Sequence, residues 1–407
     1  MPLGLFERFG VELEYMIVDS QSLSVKPVTD QVLKAFAGEI TDEIENGEIS
    51  WSNELVMHVI ELKTTDPAPA LSNLSELFSA NVQKINALLE PLGGKLLPSA
   101  MHPFMNPDQE MKIWPHGSNE IYSKYDQIFN CKGHGWSNLQ SVHLNLPFKD
   151  DQEFSKLHAA IRVVLPLLPM LAASSPIMER KITGVKDTRL EVYRQNQKKI
   201  PSIAGEVIPE AVFSKADYEE KIFKKIYKDI SPYDPEGTLQ DEWLNSRGAI
   251  ARFQRNAIEI RVLDIQECPK ADLAILTVIV EVLKALIAEK WETIEKLKDQ
   301  STADLAEIFV KAAKDAEDTV ITDISFLRIF GYPQNSVTGA GLWAHIIGNI
   351  ETVPPDVKNV LQHILTEGSL STRIVKSLNN DYSLERIKEV YNKLSVCLQN
   401  NTLFSNG

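Results

Sequence analysis

Cysteine is scarce in this chain. Among 407 residues there are three, Cys131, Cys268 and Cys397, and no two of them have the close spacing of a zinc site or a redox-active pair. An odd number of widely separated cysteines also gives no framework of the kind that staples small secreted domains. The cysteine content therefore favours reduced thiols, and we expect a cytoplasmic protein.

A dense block of basic residues is also missing. The 56 acidic residues outnumber the 42 lysines and arginines, and the formal net charge is −14. The most lysine-rich segment, residues 221–228, alternates lysines with apolar residues at helical spacing, which indicates a solvated amphipathic helix. The composition therefore argues against nucleic acid as a partner. An acidic protein can still bind ATP if metal ions bring positive charge to the phosphates.

Long hydrophobic runs are absent as well. The most apolar stretch, residues 163–178, contains Pro166 and Pro169 and is short for a membrane span. The N-terminal segment lacks the basic region and apolar run of a signal peptide. We therefore expect no membrane partner. The composition that remains, 43% hydrophobic and 24% charged, suits one large enzyme domain or two to three smaller ones.

Strand patterns occupy much of the first two thirds of the chain. Alternating or β-branched residues bounded by turn residues predict five strands, the last two forming a hairpin that turns at 255–256. These strands are expected over residues 9–19, 54–64, 141–148, 249–254 and 257–266.

Helical spacing predicts helices over residues 30–36 and 72–89, and helical patterns dominate from residue 271 to about 399. We expect an α+β fold and one catalytic domain over 1–407. Within it, 1–270 would carry the sheet and active site, with a helical region, 271–407, packed on it. The turn-rich segment 231–246 is either a mobile lid or a surface loop.

Charged residues recur on one face of these strands. Glu12 and Glu14 alternate with apolar residues on the first strand, and Glu61 and Lys63 lie near the end of the second. Glu54 begins the second strand with the opposite phase to Glu61. It can reach the same face only through a bend, a bulge or a non-strand start.

The later strands repeat this pattern. His143 shares a face with Ser141 and Asn145, and Glu259 shares one with Arg261. Taken singly, each of these residues could be an ordinary solvent-facing glutamate or a structural histidine. Five carboxylates on one surface would repel one another unless cations neutralise them. Because oxygen ligands with one imidazole suit hard divalent ions, the set as a whole favours a metal-bearing sheet face.

The ordered segments resemble the glutamate–cysteine ligase family, also called carboxylate–amine ligases, which has a glutamine synthetase-like fold. The resemblance spans roughly residues 8–280. The matching segments are GVELEY (10–15), ELVMHVIELKT (54–64), HGWSNLQSVHLNLPF (134–148), SSPI (174–177), TGVKDTR (183–189) and IEIRVLDIQECPKADLA (258–274).

This resemblance implies a sheet funnel that holds ATP at one end, the acid substrate at the other and metal ions between them. It implies Mg²⁺, with Mn²⁺ as the alternative, in two ligand sets. The first set is Glu14, Glu54 and Glu61. The second is Glu12, His143 and Glu259.

The implied reaction activates a carboxylate, expected to be the γ-carboxylate of L-glutamate, as an acyl phosphate that an amine attacks. L-cysteine is the amine that the family name suggests, as in glutathione biosynthesis. Arg261 is our first candidate for gripping the transferring phosphoryl group, and Arg247 and Arg252 are the second candidates, with surface ion pairs as the alternative.

Three further residues are candidates for substrate binding. Arg189 could clamp the α-carboxylate of the acid in a bidentate fork. Gln140 and Asn145 are candidates for hydrogen bonds to substrate or nucleotide.

Three other functions remain open at this stage. They are ATP-dependent phosphoryl transfer to a nitrogen acceptor, a catalytically silent nucleotide or metabolite binder, and a metal-dependent amide hydrolase. Buried carboxylates without a paired ion are costly, which argues against the silent binder. In every case the partners would be small molecules. A homodimer fits the general preference of soluble oligomers for two-fold symmetry, although the sequence shows no interface.

Overall fold

The structure, a computed structural model, describes residues 2–117 and 119–405 of the chain. The outermost residues of the domain predicted over 1–407 therefore lie outside the described part. The strands are β1 (Gly10–Asp19), β2 (Glu43–Asn46), β3 (Ile49–Asn53), β4 (Val59–Thr64), β5 (Gly94–Leu97), β6 (Ser141–Pro147), β7 (Ile177–Met178), β8 (Lys181–Ile182), β9 (Ala249–Arg252), β10 (Ala257–Asp264), β11 (Val320–Ile321) and β12 (Val337–Thr338).

Helices account for about half of the remaining described residues. They are α1 (Thr29–Ala37), α2 (Leu74–Leu89), α3 (Pro107–Glu110), α4 (Asn119–Phe129), α5 (His134–Ser137), α6 (Asp151–Val164), α7 (Pro169–Ala172), α8 (Thr188–Tyr193), α9 (Lys215–Tyr218), α10 (Lys224–Ile230), α11 (Pro269–Ile287), α12 (Ile294–Lys298), α13 (Thr302–Asp315), α14 (Ile324–Ile329), α15 (Gly339–Asn349), α16 (Pro355–Glu367), α17 (Leu370–Leu378) and α18 (Leu384–Asn400).

One eight-stranded sheet organises the molecule. Its strand order is β2-β3-β4-β1-β6-β10-β9, with β5 paired to the far end of β1, and its ladders are antiparallel. The ladder between β6 and β10 changes register between Ile260 and Leu263. The two-stranded ladders β7–β8 and β11–β12 are separate. The longest strand, β1, therefore lies at the centre, between β4 and β6.

One face of the sheet is apolar because the side chains of each strand alternate. On β1, Val11, Leu13 and Tyr15 have no exposed surface and belong to one large hydrophobic cluster with residues of α2, α6 and α11. Helix α11 packs against α2 and α6, so these helices cover the apolar face. The opposite face, which carries Glu12 and Glu14, is left for polar groups.

The C-terminal helices close the far end of the sheet. A smaller hydrophobic cluster joins Met16 and Val18 of β1 to residues of α17 and α18. Beside it, Arg373 of α17 and Glu267 form a fully buried ion pair, with Nη1 and Oε1 2.5 Å apart. Nη1 of Arg373 also donates to the Phe404 carbonyl at 2.7 Å. No helix among the described residues is long and apolar enough to cross a membrane.

The structure changes several expected boundaries. The strand predicted over 54–64 was wrong in its first half, because β4 begins only at Val59. Strands β2, β3 and β5 were not predicted. They are only four or five residues long, and so short a run has little periodicity of its own. The predicted helices over 30–36 and 72–89 are confirmed within two residues at each end as α1 and α2.

Candidate functional site

The polar face of the sheet forms one wall of a cavity of about 730 Å³. Ten of the twelve predicted site residues line it, while Arg247 and Gln140 do not. The ten are Glu12, Glu14, Glu54, Glu61, His143, Asn145, Arg189, Arg252, Glu259 and Arg261. They are assembled mainly by the adjacent strands β4, β1, β6 and β10.

Three carboxylates meet at one end of this face. One oxygen from each of Glu14, Glu54 and Glu61 lies within 4.8 Å of the others. Glu14 and Glu61 are direct partners across the β1–β4 ladder. Glu54 precedes β4 in an irregular segment, so its side chain is free of the strand alternation. Glu54 and Glu61 would point to opposite faces if residues 54–61 formed one strand. They meet because the segment does not begin as a strand.

Hydrogen bonds orient two of these carboxylates. Glu14 Oε2 accepts from the backbone N–H of Ser141 at 2.7 Å and from its hydroxyl at 3.0 Å. Glu61 Oε2 accepts from the hydroxyl of Ser52 at 2.6 Å and lies 3.3 Å from Lys63 Nζ. Both carboxylates are thus held in place by residues of the sheet itself.

Burial and then the crowding of like charges raise the pKa values of two of these carboxylates. Burial, together with the charges of Glu14 and Glu61, raises the pKa of Glu54 well above its usual value. Burial and the charge of Glu12 raise the pKa of Glu61 to about 7. Bringing these groups together therefore has an electrostatic cost that a bound cation would offset.

A second cluster shares Glu61 and adds Glu12 and His143, again with ligand atoms within 4.8 Å. His143 Nδ1 lies 2.6 Å from Glu12 Oε2, and Asn145 Nδ2 donates to Glu12 Oε1 at 2.9 Å. Although burial lowers the pKa of His143, the hydrogen bond and charge of Glu12 raise it to about 9. Burial raises the pKa of Glu12, but the hydrogen bond and charge of His143 lower it to about 2. In the metal-free protein a protonated His143 thus supplies positive charge here.

Glu259 lies on the same face but has different partners. It is 3% exposed, and its carboxylate accepts from Arg261 Nη2 at 2.5 Å and from Arg252 Nη1 at 3.1 Å. Burial raises the pKa of Glu259, but the charge of Arg261 lowers it below the usual value. The resemblance implied that Glu259 joins Glu12 and His143. The cluster whose ligand atoms lie within 4.8 Å of one another contains Glu61 beside Glu12 and His143, and the role of Glu259 as a metal ligand stays a prediction.

The two clusters suit hard divalent cations. The first offers three carboxylates and the second offers two carboxylates and an imidazole. Oxygen-rich sets of this kind fit Mg²⁺ or Mn²⁺, and neither set contains the thiolate ligands that softer ions prefer.

Arg189 lines the cavity and carries one buried guanidinium nitrogen that is unpaired in the described part of the chain. It belongs to α8, and only 2% of its surface is exposed. Its Nε donates to Asp264 in a short hydrogen bond, while its Nη2 is buried without a partner among the described residues. Because Arg189 is a cavity-lining cation, the residue is a candidate for binding an anionic ligand.

Two predicted site residues face elsewhere. Arg247 is a structural residue, because its guanidinium donates to both oxygens of Glu210 at 2.5 and 2.6 Å and to the Ser202 carbonyl at 3.1 Å. Gln140 is fully buried, and neither of its amide atoms has a partner among the described residues. Gln140 lies two residues before Val142 of β6, so its side chain is on the same, apolar side of the sheet as that of Val142. Neither Gln140 nor Arg247 therefore reaches the polar face.

Aromatic residues that the sequence did not single out line another part of the cavity. They are Tyr122 and Tyr125 of α4, Trp136 of α5, and Trp243. Trp243 lies in the turn-rich segment 231–246, which is ordered by Asp234. The buried carboxylate of Asp234 accepts from the backbone N–H groups of Thr238 and Leu239 at 3.0 and 2.8 Å. No periodic pattern marks these rings as site residues, because they come from short segments that only the fold brings together.

Comparison with known protein sequences gives one consistent result. The sequence pattern of glutamate–cysteine ligase family 2 (GCS2) matches residues 8–324. An uncharacterized protein from Archaeoglobus fulgidus is 40% identical over 280 residues, which are 69% of this chain and 75% of that protein. A Rubrobacter xylanophilus protein, provisionally named glutamate–cysteine ligase 2-3, is 26% identical over 191 residues, 45% of this chain and 47% of that protein. The match thus spans about half of that relative's length.

Two solved structures share the fold. A glutamate–cysteine ligase from Francisella tularensis in complex with AMP has a TM-score of 0.63 and 14% identity, covering 98% of this chain and 90% of that one. The ligase PafA, in complex with the prokaryotic ubiquitin-like protein Pup, has a TM-score of 0.52 and 12% identity, covering 99% and 77%. At these identities the likeness shows the fold alone. The predicted glutamine synthetase-like α+β fold is confirmed.

Proposed function

The chain belongs to glutamate–cysteine ligase family 2, and from that membership we propose that it is an ATP-dependent ligase joining L-glutamate to an amine. The observation that supports this most strongly is the combination of two carboxylate-rich clusters with Arg261 and Arg189 in one cavity. Metal ligands, a phosphoryl-binding cation and a carboxylate-binding cation are the groups that such a reaction needs.

Two group transfers make up the proposed reaction. First, an oxygen of the substrate carboxylate attacks the γ-phosphorus of ATP, the bond to the β–γ bridging oxygen breaks, and ADP leaves. Second, the amine nitrogen attacks the acyl carbon, the carbon–oxygen bond to phosphate breaks, and a proton passes from nitrogen to the departing phosphate. The first step is needed because a free carboxylate has no adequate leaving group.

Glu14, Glu54 and Glu61 would hold one Mg²⁺, and Glu12, Glu61 and His143 a second. When bound, such ions neutralise phosphate charge and align the phosphoryl oxygens. Glu259 then acts through its hydrogen bonds to Arg261 and Arg252, which it holds at the edge of the clusters.

Arg261 is the proposed phosphoryl-binding residue. It lines the cavity, and burial lowers its pKa, but the charge of Glu259 raises that pKa above the usual value. Its guanidinium is therefore a permanent positive charge, fixed in orientation by Nε and Nη2 hydrogen bonds to one oxygen of Glu259. A preorganised cation of this kind stabilises developing negative charge without reorganisation.

Arg189 is the proposed anchor for the acid. Arg189 lines the cavity, and its guanidinium would donate to the α-carboxylate of glutamate while Asp264 fixes it through Nε. Ser175 strengthens this support, because its hydroxyl donates to Asp264 Oδ2 at 2.8 Å. Binding the acid by its α-carboxylate leaves the γ-carboxylate free for activation.

Phosphate release from Mg-ATP tests this proposal. The purified protein would be incubated with L-glutamate and hydroxylamine, a small nucleophile that traps an acyl phosphate as a hydroxamate. We expect glutamate-dependent phosphate and γ-glutamyl hydroxamate in equal amounts. Phosphate without hydroxamate would indicate phosphoryl transfer elsewhere, and hydroxamate formation without ATP would indicate an amide hydrolase acting in reverse.

Two variants test whether activity depends on the cavity residues. Glu12→Gln should abolish hydroxamate formation while unfolding remains cooperative, because it removes one charge from the second cluster. Glu45→Gln is the matched control, since Glu45 is an exposed residue of β2 and does not line the cavity. Equal activity in both variants would remove Glu12 from the proposed site.

A further inference from the structure

The proposed acid-binding residue, Arg189, belongs to a segment that joins the cavity to the C-terminal helical region. Residues 183–189 lead from β8 into α8. Arg189 lines the cavity, and its backbone N–H donates to the hydroxyl of Ser175 at 3.1 Å. Helix α8 packs against α13. The 183–189 segment therefore connects the cavity with helices that have no part in the proposed reaction so far.

Backbone hydrogen bonds tie this segment to the end of α13. The N–H of Lys186 donates to the Lys314 carbonyl at 3.0 Å, and that of Asp187 donates to the Ala313 carbonyl at 2.8 Å. Carbonyls in the last turn of a helix have no partner within the helix, so the segment binds acceptors that α13 leaves open. The carboxylate of Asp187 also caps α8, because it accepts from the Leu190 N–H at 2.9 Å. These contacts fix the start of α8 relative to α13.

The side chain of Lys186 forms a second link. Its Nζ lies 2.9 Å from Glu317 and 2.6 Å from Asp318, both in the turn that follows α13. Glu317 is 6% exposed and also accepts from the hydroxyl of Thr372 in α17 at 2.5 Å. A charged hydrogen bond to a buried carboxylate is stronger than an ion pair at the surface. Lys186 and Glu317 thus join the segment to α13 and α17 together.

Helix α17 also holds the segment directly. The hydroxyl of Ser371 donates to the Lys186 carbonyl in a short hydrogen bond, and the N–H of Ser371 donates to the Ala173 carbonyl at 3.0 Å. Ala173 lies two residues before Ser175, which accepts from the N–H of Arg189. Helix α17 therefore contacts both of the chain segments that hold Arg189.

The residues of this junction act at a distance from the substrates. Lys186, Glu317 and Ser371 do not line the cavity. The carboxylate clusters are oriented by Ser52 and Ser141 of the sheet, so the junction does not hold the proposed metal ligands. Its connection to the cavity is the position of α8.

We propose, on the premise of the ligase activity above, that the C-terminal helical region positions Arg189 for binding the acid. Lys186 and Glu317 are the positioning residues that make this connection. The junction thereby sets the affinity for L-glutamate and leaves the binding of Mg-ATP unaffected.

Kinetics of hydroxamate formation by the whole chain test the proposal, with Lys186→Met as the first variant. Misplacement of a positioning group can cost about 10²-fold, and Lys186 acts through Arg189. We therefore expect KM for L-glutamate to rise about five- to tenfold, while kcat and KM for Mg-ATP stay within about twofold of the wild type. A change that only destabilised the fold would reduce the amount of active enzyme, which lowers kcat and leaves both KM values unchanged.

Lys95→Met is the matched control. Lys95 is also half-buried and lies outside the cavity lining. Its Nζ donates to Asn392 of α18 at 2.5 Å, so it joins the sheet to the C-terminal helical region through β5 and not through the 183–189 segment. Its KM for L-glutamate should stay at the wild-type value.

Two further variants make the test independent of a single substitution. Glu317→Gln removes the charge that pairs with Lys186. Because both changes break one link, the double variant should have a KM for L-glutamate close to that of the worse single variant. Ser371→Ala removes only a hydroxyl group and should raise this KM about two- to threefold.

Calorimetry of L-glutamate binding, with Mg²⁺ and a non-hydrolysable ATP analogue present, measures affinity without turnover. The Kd for L-glutamate should rise in Lys186→Met by the same factor as KM. Unchanged KM and Kd in Lys186→Met, Glu317→Gln and Ser371→Ala would overturn the inference and leave the ligase function standing. An equal rise in Lys95→Met would also overturn it, because any break between the sheet and the helical region would then have the same effect.

The two measurements also separate this inference from the proposed function. Glutamate binding that is weakened by Lys186→Met, in a protein that forms no hydroxamate, would support the positioning role and refute the ligase function. A wild type that neither forms hydroxamate nor binds L-glutamate would refute both.

Discussion

Replacing Glu61 by glutamine should stabilise the metal-free protein, although it removes a group from the proposed active site. Glu61 offers an oxygen to both carboxylate clusters, and burial together with the charge of Glu12 raises its pKa from 4.5 to about 7. For a carboxyl group with a raised pKa in the folded state, stability is lost as the pH rises from the unfolded value through the folded one. Above pH 7 the penalty is complete.

The size of the effect follows from this shift. One pKa unit corresponds to about 1.4 kcal/mol, so a rise from 4.5 to about 7 costs about 3 kcal/mol of folding free energy at pH 8. Glutamine resembles the neutral acid, and Glu61→Gln should therefore recover about 2–3 kcal/mol. With an unfolding entropy of about 2.1 cal/mol/K per residue, this chain should gain roughly 3 °C in Tm. At pH 5 the gain should shrink to about 1 kcal/mol.

Magnesium should stabilise the wild type more than the Glu61→Gln variant. In the wild type, Mg²⁺ at about 100 times its Kd should add about 2.7 kcal/mol, whereas Glu61→Gln should lose most of that response. The assay is thermal unfolding at pH 8 and pH 5, in EDTA and in Mg²⁺, with Glu45→Gln as the control. A lower Tm for Glu61→Gln in EDTA at pH 8, or an undiminished Mg²⁺ response, would refute the reasoning.

Three further outcomes are expected. Arg261→Lys should lower the rate of glutamate-dependent phosphate release by about 10²–10³-fold. Arg247→Lys should lower Tm and leave that rate near the wild-type value, because its hydrogen bonds are to Glu210 and a backbone carbonyl outside the cavity; the reverse pattern of rates would exchange their roles. Burial lowers the pKa of His158 to about 3, so the neutral form stabilises the fold and stability is lost as pH falls below about 6.5. His158→Phe should therefore lose less Tm than the wild type between pH 7 and pH 5, and an equal loss would contradict this. Arg373→Met leaves the fully buried Glu267 without its partner and should lower the free energy of unfolding by about 3–5 kcal/mol. In a denaturant titration, adding Glu267→Gln to this variant should recover part of that loss. No recovery would count against the ion pair as the cause.

Local patterns accounted for much of the fold. The alternation of β1 and β6 was readable because the side-chain period of a strand is a property of the backbone. The helices α1 and α2 were readable because an apolar stripe repeats along them. The start of β4 was misplaced, because residues 54–58 have the composition of a strand but lie in an irregular connection in the structure.

Some residues of the candidate site could likewise be assigned from the sequence, and others could not. The sequence ranked Arg261 first and left Arg247 and Arg252 together as second candidates. Tertiary contacts separate them, because Glu210 and backbone carbonyls surround Arg247, whereas Arg252 and Arg261 converge on Glu259. The side of the sheet on which Gln140 lies could likewise not be predicted without knowing where β6 begins.

The sequence by itself determined that Glu12, Glu14, His143 and Glu259 could share one polar face, since the two-residue period of a strand acts over neighbouring residues. Tertiary structure alone decided that Glu54 joins them, that Arg189 lines the same cavity, and that aromatic residues of α4, α5 and the segment 231–246 line it as well. These features depend on packing between segments far apart in the chain, and no local period records such contacts.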